Sequence, residues 1–124
     1  MISLEKEVNQ CIKENSEEEL DCYKEYYREL QFWATEVFNA VFEIISKNKT
    51  ESEKKTFKQE QISWKESTYW YYTKTMKEFQ NKHPDKFVWD KDSKLKTDAK
   101  TFYLKNTKYY IDRILYLLSL VENK

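Results

Sequence analysis

The sequence predicts an all-α protein: an antiparallel bundle of three long helices plus a short N-terminal helix, folded as a single helical domain over residues 1–124. Three observations predict it. Glycine is absent and proline occurs once, at Pro84, so left-handed backbone is not freely accessible and a hairpin-rich β fold is disfavoured. Charged residues make up 35% and hydrophobic residues 40% of the chain, a balance that suits amphipathic helices. Apolar residues recur with helical period over three long stretches. The aromatic content, 4 Trp, 10 Tyr and 7 Phe, is too high for a disordered chain.

The elements follow in order. A short helix is expected over about residues 3–14. Leu20, Tyr23, Tyr27, Leu30, Ala34, Val37, Val41 and Ile44 then step by three and four, marking one face of a long helix. Ser16 with Glu19 three residues on gives a capping box at its start, and Lys47-Asn48-Lys49 marks its end. Glu17, Glu18 and Glu19 suit a helix N-terminus, where the macrodipole favours negative charge. A second capping box, Thr50 with Glu53, opens the next helix. Its face is Phe57, Gln61, Trp64, Thr68, Tyr71 and Thr75, widened by Ile62, Tyr69, Tyr72, Met76 and Phe79. Asn81 through Pro84 ends it, because the residue before proline avoids the helical region.

Residues 82–93 read as a loop, with Phe87 and Trp89 as its apolar anchors. The last helix is expected over about 94–122. Tyr103, Thr107, Tyr110, Ile114, Leu117 and Val121 form its stripe, thickened by Leu104, Ile111, Leu115 and Leu118. Short connections favour antiparallel packing of the long helices. Trp64 and Phe38 are expected in the core between the 16–46 and 50–80 helices, with Gln61 a buried, hydrogen-bonded polar group.

Lys plus Arg is 22 and Asp plus Glu is 22, which argues against a dedicated nucleic-acid binder. The charge is uneven, however. Residues 1–30 hold nine acids and four bases, and residues 91–124 hold eight bases and four acids. Mutual attraction of the first and last helices is the plain reading; two partner-facing patches of opposite sign is the other. No apolar run of about 18 residues is present to span a membrane. The opening MISLEKEVNQ has no long apolar stretch of a signal peptide. Cys11 and Cys22 fit one disulfide or two cytosolic thiols.

No catalytic constellation is visible, and no catalytic residue, cofactor-binding residue or metal ligand is assigned. His83 is the one histidine and both cysteines lie near the N-terminus, a set without zinc-site spacing. It reads as a solvated loop histidine. In the run Tyr69-Trp70-Tyr71-Tyr72, Tyr71 and Tyr72 belong to the core stripes. Trp70 falls off both, a candidate exposed anchor.

The order Cys11…Cys22, then Phe38-Asn39 with Phe42, then Phe57…Gln61…Trp64, then Thr107 through Leu118 resembles the lysozyme inhibitor LprI-type domain family over roughly residues 8–120. The chain departs from that family at Ser67-Thr68-Tyr69 and Tyr72, where the family carries an aromatic-Arg-Asp motif and a third cysteine. A fourth cysteine before the last helix's threonine is also absent. The resemblance implies an all-helical, exported bacterial envelope protein. It also implies a Cys11–Cys22 disulfide. On one unbroken helix these residues would stand about 16 Å apart, so the bond requires a chain reversal near Asn15-Ser16.

The resemblance further implies a periplasmic or secreted protein expected to inhibit a lysozyme-like peptidoglycan-cleaving enzyme, or to act as an immunity protein against one. Such enzymes use two carboxylates in a cleft. Lys82, His83, Lys86, Trp89 and Lys91 are the candidate partner-binding residues to meet them. The alternative is a cytoplasmic helical interaction protein, a regulator or phage-type antagonist, whose acidic N-terminal third engages a basic partner. An enzyme is the least favoured class.

Overall fold

A computed structural model describes residues 2–14 and 18–122. The described chain is all-α: α1 (Ile2–Glu14), α2 (Glu19–Ser46), α3 (Glu51–Lys82), a one-turn 3₁₀ helix (Ser93–Leu95) and α4 (Lys96–Glu122).

The helix signals differ in how they are realised. Thr50 and Glu53 form the reciprocal capping box, the Thr50 hydroxyl accepting from Glu53 N at 3.1 Å and Glu53 Oε1 from Thr50 N at 3.3 Å. Two orphan donors of the first turn are thereby satisfied. Ser16 and the chain reversal expected near Asn15-Ser16 lie outside the described residues. Glu18 stands at the α2 cap position without a side-chain cap bond. The Glu19 carboxylate turns instead to α4, reaching Lys100 Nζ at 2.9 Å and Lys96 Nζ at 3.4 Å. One acid of the N-terminal third thus does meet the basic C-terminal third. Pro84 stops α3 as expected: His83 caps it with φ −134° and ψ 74°, outside the helical region.

The contacts define the packing. Glu19 meets Lys100, Gln31 Nε2 donates to Tyr110 Oη at 3.4 Å, and Val41 and Ile45 cluster with Leu117. These pairs run in the same order along α2 and α4. Along α3 the order reverses: Glu60 meets Arg113, Thr75 meets Asn106, and His83 meets Asp98. The core is a continuous seam. Leu30, Ala34, Ile114 and Leu117 are almost wholly buried at its centre, and Phe79, Val88, Leu95 and Ala99 close its end near the loop. Cys11 and Cys22 stand at disulfide distance, with Cα atoms 5.8 Å apart. That places α1 against α2, where Val8 packs with Cys22 and Tyr26.

Several core expectations need correction. Ile44 is half exposed and Ile45 is buried in its place, because a 3-4 repeat drifts by a residue over seven turns of a 3.6-residue helix. Leu104, Leu115 and Leu118 remain exposed; Phe102, Asn106 and Arg113 thicken the buried face of α4 instead. Ile62 and Tyr69 are exposed as well. Trp64 is half-buried, packs its ring on Tyr109 and Tyr110 of α4, and packs against the core cluster that contains Leu30 and Ala34 of α2. Phe38 does join α2 to α3, stacked on Phe57 with centroids 5.2 Å apart.

Candidate functional site

Between α3 and the 3₁₀ helix, the loop is built on one buried side chain, Val88, which is 1% exposed and packs with Phe79, Leu95 and Ala99. The two larger residues expected to anchor the loop do the opposite. Phe87 and Trp89 flank Val88, stay half exposed, and stack on each other with centroids 4.8 Å apart and planes 8° apart. Residues 87–90 form a turn, closed by Asp90 N donating to the Phe87 carbonyl at 3.0 Å. The turn directs Val88 into the core and leaves the two flanking rings outside.

Two of the loop's acids, Asp90 and Asp92, are turned onto its own backbone. Asp90 Oδ2 accepts from Phe87 N at 2.8 Å, and Asp92 Oδ1 accepts from Lys94 N at 3.0 Å. Gln80 Nε2 donates to the Lys86 carbonyl at 3.0 Å, tying the loop to α3. Asp85 takes a positive φ of 63° where the chain turns, a conformation aspartate tolerates better than most residues.

The five candidate residues divide into two groups. Lys82 and His83 are engaged. His83 Nε2 lies 2.7 Å from Asp98 Oδ2, Lys82 Nζ lies 3.5 Å from Asp98 Oδ1, and the imidazole rests against Phe79. His83 is therefore a half-buried strut between the end of α3 and the start of α4, not a solvated loop histidine. Its hydrogen bond, with the Lys82 charge beside it, holds the Asp98 carboxyl below the usual aspartate range. Lys86, Trp89 and Lys91 form the exposed tip, and neither lysine has an ion pair among the described residues.

A second constellation went unrecognised in the sequence. Arg113 is 7% exposed. Its guanidinium binds both Glu60 oxygens at 2.8 and 2.6 Å and Gln61 Oε1 at 3.2 and 2.6 Å. It lies between the rings of Trp64 and Tyr116, 5.2 and 5.3 Å from their centroids. Gln61 is buried as expected; its oxygen is paired, whereas its Nε2 has no hydrogen-bond partner among the described residues. Tyr71 stacks on Tyr109 at 4.6 Å, and the Tyr109 and Ser67 hydroxyls bond to each other. Tyr69 and Trp70 point outward, 64% and 67% exposed, edge to face with one another. The signal for the Arg113 group was Glu60-Gln61 and Trp64 lying one turn apart on one face of α3.

Among the described residues, no group of three or more His, Cys, Asp or Glu side chains is placed to hold a metal ion. Among them too, no helix is long and apolar enough to cross a membrane. No family model, curated protein or solved structure matches the chain.

Proposed function

We propose that the chain is a small bacterial envelope binding protein, an antiparallel bundle of three long helices plus a short N-terminal helix. It inhibits a lysozyme-like peptidoglycan-cleaving enzyme, or confers immunity to one, by occluding the enzyme's cleft. The observation that carries this reading is the outward Phe87–Trp89 stack held on buried Val88, flanked by Lys86 and Lys91. A rigid aromatic pair supplies contact area at little entropic cost, as binding hot spots do. The two lysines supply cations for a cleft that works through two carboxylates. Lys82 and His83 support the loop from behind through Asp98. The partner is a protein, and the mode of action is occlusion, with no cofactor. An oxidising compartment, the periplasm or the exterior, suits the Cys11–Cys22 pair.

A second reading has one observation in its favour. The Glu29 carboxyl is raised above the usual glutamate range, by partial burial and then by the charges of Glu7 and Glu25. Glu25 is paired with Arg28 at 3.0 Å, but acids gathered from α1 and α2 still suit a basic partner, and this reading goes with a cytoplasmic interaction protein. A muramidase turbidity assay across several lysozyme classes separates the two. Inhibition of at least one class supports the occlusion reading, and inhibition of none removes it.

A further inference from the structure

At the end of the bundle opposite the loop, the last turns of α2 and α4 and the first turns of α3 enclose a cleft of about 530 Å³. Small-molecule sites fall in the range of about 300–1,000 Å³ and are mostly apolar. Phe42, Ile45, Phe57, Tyr116 and Leu120 line this one. We propose that it binds an uncharged, flat aromatic molecule.

Two features select that chemistry. The first is ring geometry. Phe38, Phe42 and Phe57 form a triangular cluster of near-parallel rings, with planes 14° to 27° apart and every pair of centroids 5.2 to 6.0 Å apart. Phe42 and Phe57 line the cleft, and Tyr116 joins them from α4 with its ring exposed. A flat ring placed there gains aromatic contact beyond its area burial. The second is charge. Every ionic group on the lining is already matched by the protein. Lys49 lies 3.5 Å from Glu53, Lys54 lies 3.2 Å from Glu51, and Glu60 is held by Arg113. Lys58, beside the lining, sits over the Phe42 ring at 4.9 Å. A charged ligand must disrupt one of these pairs or enter unpaired, and an uncharged ring does neither. The cleft is separate from the 86–91 loop, so the inference does not depend on the inhibitor reading.

N-phenyl-1-naphthylamine, an uncharged probe that brightens in apolar surroundings, tests it on the full chain. The expected result is saturable one-to-one binding with blue-shifted emission. Ser52 and Thr56 are exposed and line the cleft. Ser52→Trp and Thr56→Trp each place a ring in the space and should weaken the probe by about tenfold or more, with unchanged circular dichroism. Trp70→Ala, on an exposed face of α3, should bind as wild type. The anionic analogue 8-anilinonaphthalene-1-sulfonate should bind more weakly. Absence of saturable binding, wild-type affinity in both folded tryptophan variants, or tighter binding of the sulfonate overturns the proposal. So does sedimentation showing a dimer that Ser52→Trp dissociates, because a second copy would then be the occupant.

Discussion

Arg113 and Glu60 meet in a two-point ion pair, 2.8 and 2.6 Å between nitrogens and oxygens, with the arginine side chain 6% exposed and the glutamate 46%. The pair is one-sided: the cation is inside and the anion at the edge. Removing the anion leaves a buried guanidinium with Gln61 Oε1 and two ring faces as partners. Hydrogen bonds to charged groups contribute about 1.5–3 kcal/mol. Glu60→Ala should therefore destabilise the fold by about 2 kcal/mol in urea titration. Arg113→Met fills similar volume without a charge and should cost less than Arg113→Ala.

Trp64 bridges α3 to α4 through Tyr109, Tyr110 and Arg113. Trp64→Ala should cost about 3 kcal/mol. Because Trp64 and Arg113 touch, the double variant with Arg113→Met should be less destabilised than the sum of the two single changes. A urea-denaturation double-mutant cycle checks this.

These contacts also show what the sequence could and could not convey. The α4 stripe from Tyr103 to Leu117 was legible because apolar spacing alone places it. Its flank was misread because Leu104, Leu115 and Leu118 look like core, whereas the buried neighbours include Asn106 and Arg113. Those two are buried only because partners on α3, Thr75 and Glu60, arrive in space to pair them, and no local pattern records that. In the loop, size pointed to Phe87 and Trp89 as anchors. The smaller Val88 is the anchor, because the turn closed between Phe87 and Asp90 directs the valine inward, and residue size does not record that turn. The lysines of the candidate site were legible as a cluster. That Lys82 and His83 are held by Asp98 was not, since Asp98 lies 15 residues beyond His83.

Acid should weaken the joint between α3 and α4. The folded Asp98 carboxyl is held below its ordinary value of 3.8 by His83 first and then by Lys82. A depressed carboxylate contributes stability that is fully present above the unfolded value and lost as pH falls through the lower folded one. Wild type should therefore lose stability below about pH 4, and Asp98→Asn should lose less over the same window. Thermal melts from pH 6 to pH 2 read the difference. The Glu19 carboxyl, lowered chiefly by Lys100, adds to the wild-type slope in both proteins.

The Cys11–Cys22 pair holds α1 on α2 over Val8 and Tyr26. Bridges that close short loops contribute about 2–4 kcal/mol. Mass spectrometry without reductant should find the chain two hydrogens lighter than the dithiol. Reductant should lower the melting temperature, and Cys11→Ser with Cys22→Ser should match the reduced protein. Two free thiols in protein folded under oxidising conditions would remove the bridge.

The central claim is that the 86–91 tip occludes the acidic cleft of a lysozyme-like enzyme, and Lys86→Ala with Lys91→Ala tests it most directly. Both lysines are exposed, and neither has an ion pair among the described residues, so the double variant should melt with wild type. Removing one partner of a desolvated charge pair costs about 2–5 kcal/mol of binding, enough to abolish inhibition at concentrations where wild type is effective. The measurement is the turbidity assay, run with both proteins on the lysozyme class that wild type inhibits. Loss of inhibition in a variant of unchanged stability is the predicted result. Equal potency of the two proteins would contradict the assignment of the loop and direct attention to the exposed Tyr69–Trp70 face.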